Sequence, residues 1–466
     1  MSGLDVLIDD QSLGGSALVG HLQRSNHRGR EAIGFEYADG WIAGATEISP
    51  FDLDHQLIVG PGRQYARGGA ARLAPAFVDA SPDRWGCMLI ERRERIRSRQ
   101  RAEAPRRLTE WDYLAGVSDE TRMGVLRLFD PTRRRFVDDD HLQAPPMADL
   151  RELEAITAAV ERDDADDTPE RIEWLLHLAA PGSALGGARP KASIRDVDQS
   201  LWLAKFPSHD DQHDIGLWEY ITCRLAGMAG IDMPESRVLR FSARGHTYLA
   251  RRFDRQGRSR HAFASALTLT DLDSSEGASY LDIVQAIETM GAANRIGADL
   301  EQLCRRVLFT ILMGNRDDHL RNHGFLREGN GWRLSPAFDI NPNPGKDVHV
   351  LAINDAEPFP DSQLWRETTE FYRVGKQAVN RIETDVREAV AQWRDMARAP
   401  RCGARRDPAH GDGDRSAALS HALLLSTLVG KLWWCGRTVC LAVGCVRSCS
   451  SSAAAMRYAS GVQRFA

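Results

Sequence analysis

Short apolar runs broken by Gly and by Asp-Gly fill the first part of the chain: Val6-Leu7-Ile8, Gly34-Phe35-Glu36-Tyr37 and Trp41-Ile42-Ala43. Runs of that length with such breaks read as strands joined by hairpins. Residues 1–115 are therefore expected to form a separate, mostly β unit with helical segments. The stretch Pro75-Ala76-Phe77-Val78-Asp79-Ala80-Ser81-Pro82-Asp83-Arg84-Trp85-Gly86 leads into a basic run, 87–99, with a helical look. Its charges either meet a phosphate or form a solvated helix face. Residues 134–148 are polar, contain Pro145-Pro146 and read as a loop. Leu150, Leu153, Ile156 and Val160 fall on one face of a helix over 149–162, and 171–179 looks helical again after an acidic, exposed stretch.

From Ala192 the pattern changes to strands. Residues 192–194 and 201–206 flank the polar turn 195–200, a hairpin signature. Leu217, Ile221, Leu225 and Met228 form a helical stripe, 237–241 and 247–253 read as strands, and 281–313 is helical in pattern. Residues 334–338 read as a strand leading to Asp339, ended by the turn Asn341-Pro342-Asn343-Pro344. The order is strands with one helix among them, then a helical half. That predicts an α+β, two-lobed protein-kinase-like fold with a mostly β accessory subdomain at 1–115 and a core at 116–398, its N-lobe running to about 255.

Composition changes this little. The chain has 466 residues, enough for two or three domains. Apolar residues make up 42% and charged residues 27%, as in ordinary globular proteins. The net charge of -5 gives the surface as a whole no reason to bind nucleic acid directly. Residues 1–13 are acidic and lack a secretory pattern, and Cys87, Cys223 and Cys304 are isolated, so a cytoplasmic setting with free thiols is expected. The stretch 399–466 reads differently. It holds five of the eight cysteines, and its apolar run 417–429 falls short of the roughly 20 residues a membrane span needs. It is expected to be a frameshifted or read-through tail without a selected fold.

The chemistry concentrates in Gly314-Asn315-Arg316-Asp317-Asp318-His319-Leu320-Arg321-Asn322, with Phe338-Asp339 beyond it. An Asp, an Asn five residues later and an Asp 17 residues after that are what phosphoryl transfer needs. Asp317 would accept the proton of the attacking hydroxyl. Asn322 and Asp339 would hold magnesium, a hard cation that suits oxygen ligands. The alternative is a polar loop with capping residues. His319 either orients Asp317 or touches phosphate. Upstream, Lys205 is either a phosphate-reaching point charge or a solvent-facing strand lysine. Glu219, 14 residues on, either holds that lysine or sits exposed on its helix. Gly186, Gly187, Ala188, Arg189 and Lys191 make up, with Pro190, a plausible phosphate-covering loop, although a Gly-Gly pair is often only a turn. Backbone groups of Arg251 to Phe253 could bond adenine at the hinge, and Asp254 could be a salt-bridge residue.

These motifs resemble the HipA family, bacterial serine/threonine kinases that act as toxins of toxin–antitoxin modules. The resemblance covers about residues 5–395 and rests on Gly-Gly-Ala-Arg-Pro-Lys (186–191), Leu-Ala-Lys-Phe (203–206), Arg-Phe-Asp-Arg (252–255), Asn-Arg-Asp-Asp-His-Leu-Arg-Asn (315–322) and Pro-Ala-Phe-Asp-Ile (336–340). The 77–86 stretch resembles the family's N-terminal subdomain, which packs on the kinase core and helps contact the partner. The resemblance implies ATP and Mg2+ as cofactors, Asp317 as catalytic residue, Asn322 and Asp339 as magnesium ligands, and Lys205 with the 186–191 loop on phosphate. It also implies phosphorylation of Ser or Thr on a protein, in the best-known case a glutamyl-tRNA synthetase. It implies neutralisation by a small helix-turn-helix antitoxin of HipB type, the pair binding operator DNA, with no membrane partner.

Two positions depart from the family. Seven residues before Lys191, where the family often autophosphorylates a serine, this chain has Ala184, with Ser183 beside it. The stretch after about 400 stands in place of the family's C-terminal helices. Two rival readings are a catalytically weak, antitoxin-binding co-repressor component and a lipid or small-molecule phosphotransferase, since Asp-x-His-x-x-Asn also resembles phosphoinositide-type kinases.

Overall fold

Strand β1 (Ser2–Asp10) shows why the N-terminal region folds as it does. Leu4, Val6 and Ile8 are buried while the residues between them are not, the two-residue period of a strand with one covered face. The computed structural model describes residues 2–138, 144–162, 189–257, 259–270 and 272–398. In chain order β1 is followed by β2 (Gly15–His27), β3 (Arg30–Tyr37), the short helix α1 (Asp39–Ile42), β4 (Arg63–Tyr65), α2 (Pro75–Asp79), α3 (Arg84–Gln100), α4 (Glu110–Ala115), β5 (Leu126–Asp130), β6 (Arg135–Phe136) and α5 (Leu150–Glu161). The strands form one antiparallel sheet in the order β4-β3-β2-β1-β5-β6.

Two expectations change here. Trp41 sits on α1, not on a strand, and its ring is buried against Phe51 at 5.5 Å. The sheet also takes β5 and β6 from beyond residue 115, so its edge does not coincide with the expected boundary, and residues 135–136 of the expected loop are a strand.

The central sheet is β7 (Lys191–Arg195), β8 (Leu201–Lys205), β9 (Ser236–Ser242) and β10 (Gly245–Arg251) in the order β7-β8-β10-β9, with α6 (Ile215–Met228) between β8 and β9 in sequence. All of β8 is buried, because both faces are covered. Trp202 and Ala204 join Leu249 in a core shared with Trp85, Leu89 and Ile96 of α3 and with Leu150 and Leu153 of α5. Leu203 and Lys205 point the other way. The basic helix α3 is thus solvated on one side only, where Arg84, Arg95 and Arg99 are exposed. Arg92 is buried and donates to the Val160 carbonyl at 3.1 Å, and Arg93 to the Gly116 carbonyl at 3.1 Å. On α6, Leu217, Ile221 and Leu225 are buried as expected, but Met228 at the helix end is exposed. Gly216 is required where α6 meets β10, since a Cβ there would lie 2.0 Å from the His246 carbonyl oxygen.

The remaining elements are β11 (Arg255–Gln256), β12 (Ser259–Arg260), β13 (Phe263–Ser265), α7 (Ala266–Leu269), α8 (Tyr280–Met290), α9 (Ile296–Met313), β14 (Gly324–Glu328), β15 (Gly331–Leu334), α10 (Ser362–Thr368), α11 (Lys376–Ala391) and α12 (Trp393–Arg398). The helical pattern over 281–313 is two helices, divided where Gly291 ends α8 and Ala292 bonds the Trp332 carbonyl instead. The last helices close the lobe: Trp393 is buried and packs on Trp218 of α6 with ring centroids 6.0 Å apart. One continuous core links the N-terminal sheet to the helical half. The expected strand over 334–338 stops at Leu334, because Pro336 has no N–H and Ala337 donates to Asp232 outside the sheet.

Candidate active site

Helix α9 ends at Gly314, whose φ of 72° lets the chain turn left-handed, as glycine does without strain. The loop that follows is fixed from below. Asp318 is buried and accepts from the Tyr280 hydroxyl at 2.8 Å, with His323 Nε2 at 3.1 Å. Burial alone would raise its pKa, but His323 and these hydrogen bonds outweigh it and hold the carboxyl below its ordinary value. With Asp318 anchored, its neighbour Asp317 faces solvent. Asp317 forms an ion pair with Lys346, which sequence reading did not single out. Asn322 lies on a 3-10 turn (Leu320–Asn322) and donates to the Asp317 carbonyl at 3.4 Å, while its own Oδ1 is buried without a hydrogen-bond partner among the described residues.

Across the cleft, Lys205 is buried at the end of β8. Its Nζ lies 2.6 Å from Glu219 Oε1 on α6 and 2.5 Å from Asp339 Oδ1. Of the two readings of Glu219, the one in which it holds the strand lysine is the one seen. Burial would lower the lysine's pKa, but the two carboxylates reverse that and raise it above its ordinary value. Asp339 adopts φ 56°, a left-handed conformation uncommon outside glycine though better tolerated by Asp. Burial would raise its pKa, but Lys205 and then Lys191 hold it low; His319 adds to the effect, so its ring also lies near this carboxylate. His319 makes no hydrogen bond to Asp317, and its Nδ1 is buried without a partner among the described residues.

Lys191 does not project freely. It is opposite Lys205 in the β7–β8 pair, is buried, and lies 2.6 Å from Asp83. Trp85 Nε1 donates to the Lys191 carbonyl at 3.0 Å. Asp79, from the same 77–86 stretch, accepts from Ser265 N at 2.7 Å and Thr268 Oγ1 at 2.6 Å. That stretch therefore ties the N-terminal region to both lobes. Arg189 pairs with Asp211 at 2.7 Å, and its Nε and Nη2 are buried without partners among the described residues. Gly186, Gly187 and Ala188 lie outside the described residues, as do Ser183, Ala184, the helix expected at 171–179 and the stretch 399–466.

Between the central sheet and the Phe338-Asp339 segment lies a small pocket, open on one side. Leu203, Ala250, Met123, Phe253 and Phe338 give it apolar walls, and Lys205 and Asp339 its polar end. Phe253 and Phe338 stack with centroids 5.5 Å apart. The amides of Arg251 and Arg252 are already bonded to the Glu235 and Leu201 carbonyls at 2.8 and 2.9 Å. Asp254 is the salt-bridge residue: wholly buried, it lies 2.7 Å from Arg252 and 2.6 Å from Arg255 and accepts from Gly124 N at 2.8 Å. Arg252 and Arg255 donate in turn to the Thr121 and Arg122 carbonyls, which sets Met123 in the cavity wall. Sequence reading did not find Met123 or Asp83.

Asn322 Oδ1, buried and without a hydrogen-bond partner among the described residues, and the Asp339 carboxylate are oxygen donors of the kind magnesium takes. Among the described residues no group of three His, Cys, Asp or Glu could hold a metal by itself.

The fold and this cleft define a two-lobed, kinase-like architecture with a β-rich N-terminal region. Residues 183–394 match the family model described as HipA-like C-terminal domain. HipA of Shewanella oneidensis, solved with HipB and its operator DNA, has the same fold: TM-score 0.60 at 15% identity, covering 92% of this chain and 96% of that one. A curated putative kinase of Haemophilus influenzae is 25% identical over 189 residues, 35% of this chain and 54% of that protein. The chain thus spans about half the length of that relative. The Helicobacter pylori proinflammatory kinase CtkA aligns over 52% of this chain and 89% of its own at 13% identity, with a TM-score of 0.37.

Proposed function

We propose that the chain is an ATP- and Mg2+-dependent serine/threonine protein kinase. The observation that carries this is the buried Lys205, held by Glu219 and Asp339 at the polar end of an apolar cavity. An adenine ring would lie against the apolar walls, and Lys205 is a point charge for the phosphates behind it. Arg189, two residues before β7, pairs with Asp211 and has two nitrogens without partners among the described residues. Asn322 and Asp339 would hold magnesium, which when bound neutralises phosphate charge. Asp317 faces the solvent side, where an acceptor hydroxyl arrives, and takes its proton.

The acceptor is a Ser or Thr of a cellular protein, an aminoacyl-tRNA synthetase being one candidate. A small helix-turn-helix antitoxin of HipB type neutralises the enzyme and brings it to operator DNA; the likeness to a HipA solved with HipB and DNA supports that partner. The setting is cytoplasmic. Among the described residues no helix is long and apolar enough to cross a membrane. The test is ATP turnover and phosphopeptide mapping in cell extract, wild type against Asp317→Ala. Label transfer lost in the variant supports the reading. A folded, ATP-binding wild type that transfers nothing overturns it in favour of a co-repressor role.

A further inference from the structure

Of the 60 basic residues in the chain only five are lysine: Lys191, Lys205, Lys346, Lys376 and Lys431. Three of them meet carboxylates at the site: Lys191 on Asp83, Lys205 on Glu219 and Asp339, and Lys346 on Asp317. A chain that uses arginine almost everywhere keeps lysine here. Lysine differs from arginine in being a compact point charge on a flexible stem, without the planar fork that locks a guanidinium onto one carboxylate.

Lys346 differs from the other two in its surroundings. Its side chain is 44% exposed and that of Asp317 57%, so their pair is open to exchange. Its backbone, by contrast, is pinned. Asn343 N donates to the Gly314 carbonyl at 2.8 Å, Arg316 donates to the Lys346 carbonyl, and Pro342 and Pro344 stiffen the intervening turn. The segment therefore lies across the Asp317 loop and delivers one mobile ammonium group to it.

An acceptor hydroxyl must hydrogen-bond Asp317 to be activated, and Lys346 stands on that carboxylate. We propose that Lys346 is a catalytic residue: the arriving hydroxyl takes its place on Asp317, and the ammonium moves to the oxygens of the phosphoryl group in transfer. This rests on the kinase reading above. In the step, the acceptor O–P bond forms as the bond from the γ-phosphorus to the β–γ bridging oxygen breaks. The acceptor proton goes to Asp317, and ADP leaves with the electron pair. The charge spread over the phosphoryl oxygens needs a cation on the acceptor side. Lys205 is buried and engaged by two carboxylates on the far side.

The test uses the full chain with γ-labelled Mg-ATP and a bacterial extract as acceptor, comparing wild type, Lys346→Gln, Lys346→Arg and Asp317→Ala. Affinity for a non-hydrolysable ATP analogue and thermal melting are read alongside. Lys346→Gln is expected to lose about 10²-fold in transfer rate, as for other groups that stabilise developing charge. Its nucleotide affinity should stay within about twofold and its melting unchanged, and Lys346→Arg should recover part of the rate. Full activity of Lys346→Gln beside a dead Asp317→Ala overturns the proposal and leaves the kinase reading standing. So does a rate loss matched by an equal loss of nucleotide affinity. A wild type no more active than Asp317→Ala overturns the kinase reading, and the proposal with it.

Discussion

The two walls of the cleft carry the same pair of charge types in opposite circumstances. On the sheet side Lys205 and Glu219 are 7% and 3% exposed; on the loop side Lys346 and Asp317 are 44% and 57% exposed. The buried pair is fixed before any ligand arrives, because separating it would strand charge in a low dielectric. The exposed pair is worth little by itself, about 0–1 kcal/mol, and so can change partners. One wall supplies geometry and the other supplies the groups that move. That division is what a transfer reaction asks of its site: a held donor and an exchangeable acceptor side.

The contrast can be broken most sharply at Asp317. Asp317→Ala should cost about 10³-fold or more in label transfer while leaving melting and nucleotide affinity nearly unchanged. A comparable fall in stability would place Asp317 with the fixed wall instead. Lys205→Ala should do the reverse. It leaves the buried Glu219 and the half-buried Asp339 without their cation and should lower stability by about 3 kcal/mol, seen in denaturant unfolding, with nucleotide binding lost as well.

His349 sharpens the comparison through pH. It is buried beneath the loop, beside Arg316 and Asp318, and burial lowers its pKa to about 4. Below its ordinary value the unfolded chain takes up a proton that the folded chain refuses. Stability should therefore fall as pH drops from about 6.5 toward 4, by about 2–3 kcal/mol. His349→Leu should flatten that stretch of the stability–pH curve; an unchanged curve would mean other groups titrate there. The smallest effect is expected at Arg366 and Glu383, an exposed pair far from the cleft. Arg366→Ala should shift stability by less than about 0.5 kcal/mol in the same unfolding assay.

Much of the fixed wall is legible in the sequence. The 14-residue step from Lys205 to Glu219 is a strand end, a turn and the first helical turns, so local patterning alone places them near each other. The Asp317, Asn322 and Asp339 spacing is local too. What sequence reading misses comes from distant parts of the chain. Asp83 reaches Lys191 across 108 positions, and Met123 enters the cavity only because Arg252 and Arg255 hold carbonyls at 121 and 122. The charged run on α3 reads as solvated because charge usually is; here α3 lies on the central sheet, and Arg92 and Arg93 find buried partners. Trp41 reads as strand from its apolar neighbours, yet one helical turn suffices to bury it. Lys346 had a signal in plain view, the scarcity of lysine in an arginine-rich chain.

The cover that α3 and α5 lay over β7, β8 and β10 has a consequence for how this protein can be cut or recombined. The stretch matched to the HipA-like domain begins at residue 183, after both helices. A piece starting there would lose Met123 from the cavity wall and Asp83 from Lys191, and would leave Trp202, Ala204, Ile194 and Leu249 bare to water. The stretch that matches by sequence and the unit that water tolerates are thus not the same. A swap of front halves would have to bring both a matching roof and the residues that the N-terminal half lends to the cleft.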